Sequence, residues 1–177
     1  MAFHTFFQAL TELRGRAAVD LTHAALPAEL SERLRLGRVL RVGYYPLAQY
    51  SELHAAAQRA LRGGAALARD IGRKATEHDT RGLLRFVLGL TSTELLMRHA
   101  GKVWSSFARG SRVSAQQVEP RHYRVAFEGL DGASELVFVE LEGAIERLIE
   151  LTGARQAQVR RHAGEDGSSV VFSASWQ

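Results

Sequence analysis

The sequence predicts an α+β fold in which N-terminal helices pack on a C-terminal four-stranded antiparallel sheet. Apolar residues recur at steps of three and four up to about residue 110, as they do on one face of a helix. After Gly110 they alternate at steps of two, which is the period of half-buried strands. A further helical stretch lies between two pairs of predicted strands, so the tail has the order ββαββ.

Length and composition favour one α+β domain over residues 1–177, helical over about 1–110 and sheet over about 111–177. Apolar residues make up 46% of the chain and charged residues 24%, ordinary values for a globular protein. The chain has no cysteine, which excludes disulfides and thiolate-bound metals and fits a reducing compartment. No run reaches the roughly 18 to 20 apolar residues of a membrane-spanning helix. We therefore expect a cytoplasmic protein with no membrane span.

The first three predicted helices are separated by glycine and proline. The first carries three phenylalanines on one face and ends at Gly15. A short second helix lies between Pro27 and Gly37. The third begins at Pro46, where a missing N–H is tolerated, and ends at Gly63.

Two further helical stretches complete this part of the chain. The pattern is helical over residues 65–90, with a break at residues 78–80 that favours two helices or one bent helix. One long helix is then predicted over residues 91–107. Its first turn has the form of a capping box, made by Thr91 and Glu94.

The tail contains short segments bounded by turn residues. They are strands at 113–117 and 123–127, a helix over 136–151, and strands at 156–162 and 168–176, which a hairpin around residues 164–167 connects.

Several landmarks resemble known families over about residues 25–176. These are Tyr44-Tyr45-Pro46 before a helix, Ile71-Gly72-Arg73, Gly82-Leu83-Leu84, the stretch 91–107 and the tail ending in Trp176. They resemble an uncharacterised myxobacterial protein family and, more distantly, the haem-nitric-oxide-binding domains, the vinyl-reductase-type ligand domains and the Bet-type TRAPP subunits. The resemblance implies helices on one face of a twisted antiparallel sheet, with an apolar ligand held between these layers in the relatives. It does not imply one function, because one fold carries many sites.

Haem is the most specific hypothesis that this resemblance raises. A haem-nitric-oxide-binding domain has its proximal histidine in or just after the long helix, and a Tyr-x-Ser-x-Arg arrangement clamps the propionates. Here His99 comes early on that helix, and the ligand position would fall at about residues 102–104. No Tyr-x-Ser-x-Arg occurs, and Tyr123-Arg124 matches it only in part. We therefore expect no cofactor, and haem is disfavoured.

Motifs for catalysis, metal binding and phosphate binding are missing from the sequence. Neighbouring residues on a helix point about 100° apart, so the Glu77-His78-Asp79 triplet cannot converge on one metal ion. Neither a Gly-x-Ser-x-Gly elbow nor a Gly-rich phosphate loop occurs. Basic residues over 98–124 mix with two aromatic residues, but solvated faces explain them equally well. We expect no catalytic residue, no metal site, no enzymatic activity and no nucleic-acid partner.

The sequence therefore predicts a non-catalytic regulatory, ligand-binding or protein-interaction module that holds a small apolar ligand between helices and sheet. The alternatives are a haem-based gas sensor-like domain and a purely structural dimeric scaffold. A homodimer or another protein partner is expected. The candidate residues for the ligand pocket or interface each carry a ring, and a place in the plain core is the ordinary explanation for such residues: Tyr45, Phe86, His99, Trp104, Phe107 and Phe127.

Overall fold

A computed structural model gives the fold and describes residues 2–40, 43–81, 87–162 and 169–177. Phe86 and the predicted hairpin around residues 164–167 lie outside the described residues. The elements follow in the order α1 (Ala2–Arg14), α2 (Arg16–Ala24), α3 (Ala28–Arg35), α4 (Leu47–Leu61), α5 (Gly64–Asp79), α6 (Thr93–Arg98), α7 (Ala100–Ser105), β1 (Arg112–Glu119), β2 (His122–Glu128), α8 (Glu135–Leu151), β3 (Gln158–His162) and β4 (Val170–Ser175).

The α+β prediction and the ββαββ order of the tail are confirmed. The four strands form one antiparallel sheet in the order β1-β2-β4-β3. Strand β4 therefore lies between β2 and β3, and β1 and β3 are the edges. Among the described helices, none has both the length and the apolarity that a membrane crossing would need.

Helix α8 covers the inner face of the sheet. Because successive strand residues point to opposite faces, Tyr123, Val125 and Phe127 of β2 all point inward and are buried. They pack in one core with Ile145 and Ile149 of α8. The alternation seen in the sequence thus becomes a one-sided sheet with a helix on its apolar face.

A second core lies within the helical layer. Phe6 and Leu10 of α1 are fully buried with Leu53 of α4 and Ile71 of α5. Val137, near the start of α8, belongs to this same core. Helix α8 therefore contacts the helical layer and the sheet at once.

Helices α5 and α8 cross where each has a glycine. A Cβ atom at Gly72 would overlap the carbonyl oxygen of Glu140, and one at Gly143 would overlap the carbonyl oxygen of Arg69. Only a glycine allows the two backbones to approach this closely. The crossing fixes how the helical layer is placed over the sheet.

The structure differs from the prediction of one long helix over residues 91–107. The chain forms α6 and α7 instead, with His99 out of the helical conformation between them. Ser92 caps α6, because its side chain accepts a hydrogen bond from the Leu95 N–H at 3.2 Å. Gly101 then lies directly against the Val113 carbonyl of β1, so the chain bends toward the sheet. Contact with β1 outweighs the local preference for a continuous helix.

Helix α2 was not anticipated from the sequence. Gly15 ends α1 as predicted, with a positive φ of 80°, but the chain starts a new helix at the next residue. This helix packs its Ala18, Val19 and Thr22 into the helical core. The apolar face of α2 is short and includes a threonine among its buried residues, so the sequence showed no clear helical periodicity there.

Candidate ligand-binding cavity

A cavity of about 720 Å³ lies between the helical layer and the sheet. Its wall is formed by the start of α1, the segment entering α4, the end of α5, the helices α6 and α7, the strands β1 and β2, and α8. Small-molecule sites occupy roughly 300–1,000 Å³ and are mainly apolar. The volume and position are those of a ligand site between two packed layers.

The walls of the cavity are rich in aromatic and aliphatic side chains. The larger ones are Phe3, Leu40, Tyr44, Tyr45, Leu47, Tyr50, Leu96, Met97, Val103, Trp104, Phe107, Val113, Val125, Phe127, Leu130, Val137, Leu141, Ile145 and Leu148. Such a lining favours an apolar ligand, because every apolar contact removes surface from water.

Trp104 of α7 is held at the cavity wall by Ser111, which precedes β1, and by Phe127 of β2. Its indole Nε1–H donates to Ser111 Oγ at 2.8 Å, and its ring meets the Phe127 ring edge-on with centroids 5.0 Å apart. The polar end of the indole is therefore satisfied, and its apolar ring lines the cavity.

A buried polar cluster closes the opposite side, on α4 and α8. Glu140 is 8% exposed; Tyr50 Oη donates to its Oε1 at 2.6 Å, and His54 Nε2 lies 2.7 Å from its Oε2. Burial, reinforced by the neighbouring carboxylate of Glu140, raises the pKa of Tyr50 well above its ordinary value. The phenol therefore keeps its proton and donates it to the carboxylate in a hydrogen bond.

Asp79 is a second carboxylate at this end of the cavity. It is the last residue of α5, is half-buried, and has no hydrogen-bond or ion-pair partner among the described residues. Burial is the main reason that the pKa of Asp79 rises from 3.8 to about 6. The charge of Glu140 adds to this rise, and the positive charge of the amino terminus offsets it only in part. The polar end of the cavity thus has an acid that no side chain of the described residues pairs with.

The predicted pocket residues do not all lie at the cavity. Tyr45, Trp104, Phe107 and Phe127 line the cavity, and their contact with a ligand remains a prediction. His99 does not line it, because the break between α6 and α7 leaves this side chain exposed. Phe86 lies outside the described residues.

Sequence reasoning named Asp79 only within the triplet rejected as a metal site, and it did not single out Glu140 or Met97. Glu140 carried a usable signal: it follows the buried Val137 by three residues on the apolar face of α8, where a carboxylate is out of place. Asp79 carried none, because an acid at a helix end is ordinarily solvated. Within the part of the chain that the structure describes, no three acidic, histidine or cysteine side chains form a metal site.

No family model matches the sequence, and no curated protein matches it. Solved structures do match the fold. An Fe(II) unliganded H-NOX protein from K. algicida aligns with a TM-score of 0.73 and 13% identity, covering 99% of this chain and 95% of that one. An oxygen-binding H-NOX domain related to soluble guanylate cyclases aligns at a TM-score of 0.67 and 13% identity, covering 99% and 93%.

A mutant of the T. tengcongensis H-NOX gives a TM-score of 0.68 and 14% identity, covering 98% of this chain and 94% of that one. At these identities the likeness establishes the fold alone. The expected resemblance to haem-nitric-oxide-binding domains is confirmed at the level of architecture.

No histidine of α6 or α7, where a haem-nitric-oxide-binding domain would have its proximal ligand, lies in the described lining of the cavity. The one histidine in its described lining is His4, whose Nε2 lies 3.0 Å from the Val39 carbonyl oxygen. Among the side chains of α6 and α7 that line the cavity, Met97 is the one with a sulfur atom that can bind iron. A methionine sulfur binds haem iron as the second axial ligand beside histidine, not in place of the histidine.

The charges of the side chains that line the cavity also differ from those that would bind haem. Haem propionates are anionic and require cationic partners. The described lining has three carboxylates, on Asp79, Asp131 and Glu140, against one guanidinium, on Arg109. Arg109 lies over the exposed ring of Tyr44, 4.1 Å from its centroid.

Proposed function

We propose that this chain is a regulatory ligand-binding module, which holds a small, mainly apolar molecule in the cavity between its helices and its sheet without using haem. The observation that carries the proposal is the 720 Å³ cavity with aromatic walls, built on a fold shared with H-NOX proteins. We propose no catalytic role for the chain.

The helices α6 and α7 are the proposed responsive element. Leu96, Met97 and Trp104 contribute to the cavity wall, whereas Leu95 and His99 are exposed on the outside. A ligand that binds one packing of these helices more tightly shifts the population toward it and changes the outer surface. The short length of α6 and α7 favours such a population shift, because neither helix has more than six residues to hold it in place.

The outer surface is the proposed contact for a protein partner or a second copy of the chain. Leu95 of α6 is 40% exposed, and Phe107, just after α7, is 37% exposed although it also contributes to the cavity wall. Apolar side chains exposed on a responsive element suit a contact that is made in one state only. We also propose a cytoplasmic location and a distant relation to the uncharacterised myxobacterial family.

Nile red, an uncharged dye that fluoresces in apolar surroundings, tests the cavity directly. The protein is expected to bind it with a blue-shifted emission. Ala100→Phe, which adds a ring inside the cavity wall, should abolish the signal, whereas Ala17→Phe, on an exposed position of α2, should leave it unchanged. Equal dye binding by the two variants would contradict a ligand site in this cavity.

The two tryptophans supply a second readout. Nile red in the cavity should quench the emission of Trp104, so quenching should be lost in Trp104→Phe and kept in Trp176→Phe. Trp176 is buried against Tyr123 and does not line the cavity. Native mass spectrometry of the purified protein then shows whether a ligand accompanies it.

A haem-based gas sensor is the second candidate, and the likeness to H-NOX structures over nearly the whole chain favours it. It predicts stoichiometric haem after reconstitution with hemin, with a sharp Soret band that Met97→Leu weakens. Our proposal predicts no such band, only the broad absorption of loosely bound hemin. A sharp stoichiometric band would overturn the non-haem proposal.

A further inference from the structure

We propose that the ligand is an organic cation, with a protonated or quaternary ammonium group attached to an apolar body. This inference rests on the proposed ligand-binding function and specifies its chemistry. It comes from the distribution of charge around the cavity rather than from its size.

The inner end of the cavity is negative. Asp79 and Glu140 both lie there, and the charge of Glu140 contributes to the raised pKa of Asp79. Asp79 also stands at the C-terminal end of the 16-residue α5, where the helix dipole adds about half a negative charge. A cationic group beside Asp79 would meet that carboxylate and the negative end of the helix dipole, and it would also feel the charge of Glu140.

The protein supplies little positive charge of its own at that end. His54 lies behind Glu140, away from the cavity lining, and His4 is held by a backbone carbonyl. Arg109 and Asp131 are both exposed, so they lie where the cavity meets solvent. The amino terminus lowers the pKa of Asp79, but burial outweighs this effect. Apart from the amino terminus, Asp79 therefore has no counter-charge among the described residues, and a cation from the ligand would supply one.

The aromatic walls suit a cation as well. Phe3 packs edge-on against Tyr45 and Tyr50, with centroids 5.4 and 5.7 Å away, beside the hydroxyl that binds Glu140. The face of an aromatic ring attracts an ammonium group by about 0.5–2 kcal/mol, most where water is excluded. An anionic head group would be repelled by the same rings and carboxylates.

Three probes with the same chain and different head groups test the inference: decyltrimethylammonium, decanol and decanoate. Each is titrated into the full chain by calorimetry at neutral pH, the two charged probes below their critical micelle concentrations and decanol below its solubility limit. The ammonium should bind about tenfold more tightly than decanol, and decanoate should bind most weakly. Asp79→Asn should lower the affinity for the ammonium about tenfold and leave that for decanol unchanged.

Asp70→Asn is the matched control, because Asp70 is exposed on the same helix and does not line the cavity. It should not change any of the three affinities, and circular dichroism checks that both variants are folded. Equal binding of the ammonium and decanol, or an unchanged ammonium affinity in Asp79→Asn, overturns the cation inference but leaves the proposed function intact. Failure of all three probes together with Nile red overturns both.

Discussion

Replacing Asp79 with asparagine should stabilise the empty protein at neutral pH. The pKa of this carboxyl is about 6 in the folded protein and 3.8 in a model peptide, and burial is the main cause. The folded state thus holds the proton more tightly than the unfolded state does. Stability contributed by this group is fully present below about pH 3.8 and is lost as the pH rises through about 6.

The size of the effect follows from that difference in pKa. For a fully buried group, this difference in pKa corresponds to about 3 kcal/mol in the free energy of unfolding. Asp79 is only half-buried, so screening by solvent lowers the expected effect to about 1–2 kcal/mol. Asparagine has nearly the same shape and no charge. It also removes a negative charge from the C-terminal end of α5, where the helix dipole disfavours one.

Urea unfolding of both proteins, followed by circular dichroism between about pH 4 and pH 8, measures this effect. The two free energies of unfolding should agree near pH 4 and separate as the pH rises through about 6, with Asp79→Asn the more stable. Glu140, Tyr50 and the amino terminus are present in both proteins, so their own titration largely cancels in the difference. A difference that is constant over the whole range would refute the reasoning.

Two further predictions concern packing and the buried cluster. Gly143→Ala should destabilise the protein by about 1–3 kcal/mol, because the new methyl group overlaps a carbonyl of α5. Gly89→Ala should not, because a Cβ at Gly89 would meet no neighbouring atom of the described residues within 4 Å. Tyr50→Phe should lower the free energy of unfolding by about 1–3 kcal/mol, because Glu140 loses a hydrogen-bond donor at 2.6 Å. Tyr123→Phe removes only a hydrogen bond of 3.3 Å and should lower this free energy by less. Urea unfolding measures all four variants, and equal losses within either pair would contradict the corresponding contact.

The sequence by itself determined the class of fold, the order of the tail and most helix ends. These depend on local periods and on residues such as Gly15 and Pro46, whose backbone preferences act within a few residues. It also named four aromatic residues that line the cavity. Trp104 and Phe127 do so because bulky apolar side chains on a helix or strand face point inward, whereas Tyr45 and Phe107 lie outside the described helices and strands.

Only the tertiary structure decided what those inward faces enclose. The break at His99 depends on the contact of α7 with β1, and the meeting of Asp79 with Glu140 joins residues far apart in the chain. A cavity is the space that remains when layers pack against each other, and its charge is a sum over elements that no local pattern contains. For this reason the sequence could predict a ligand pocket but could not specify that its inner end is acidic.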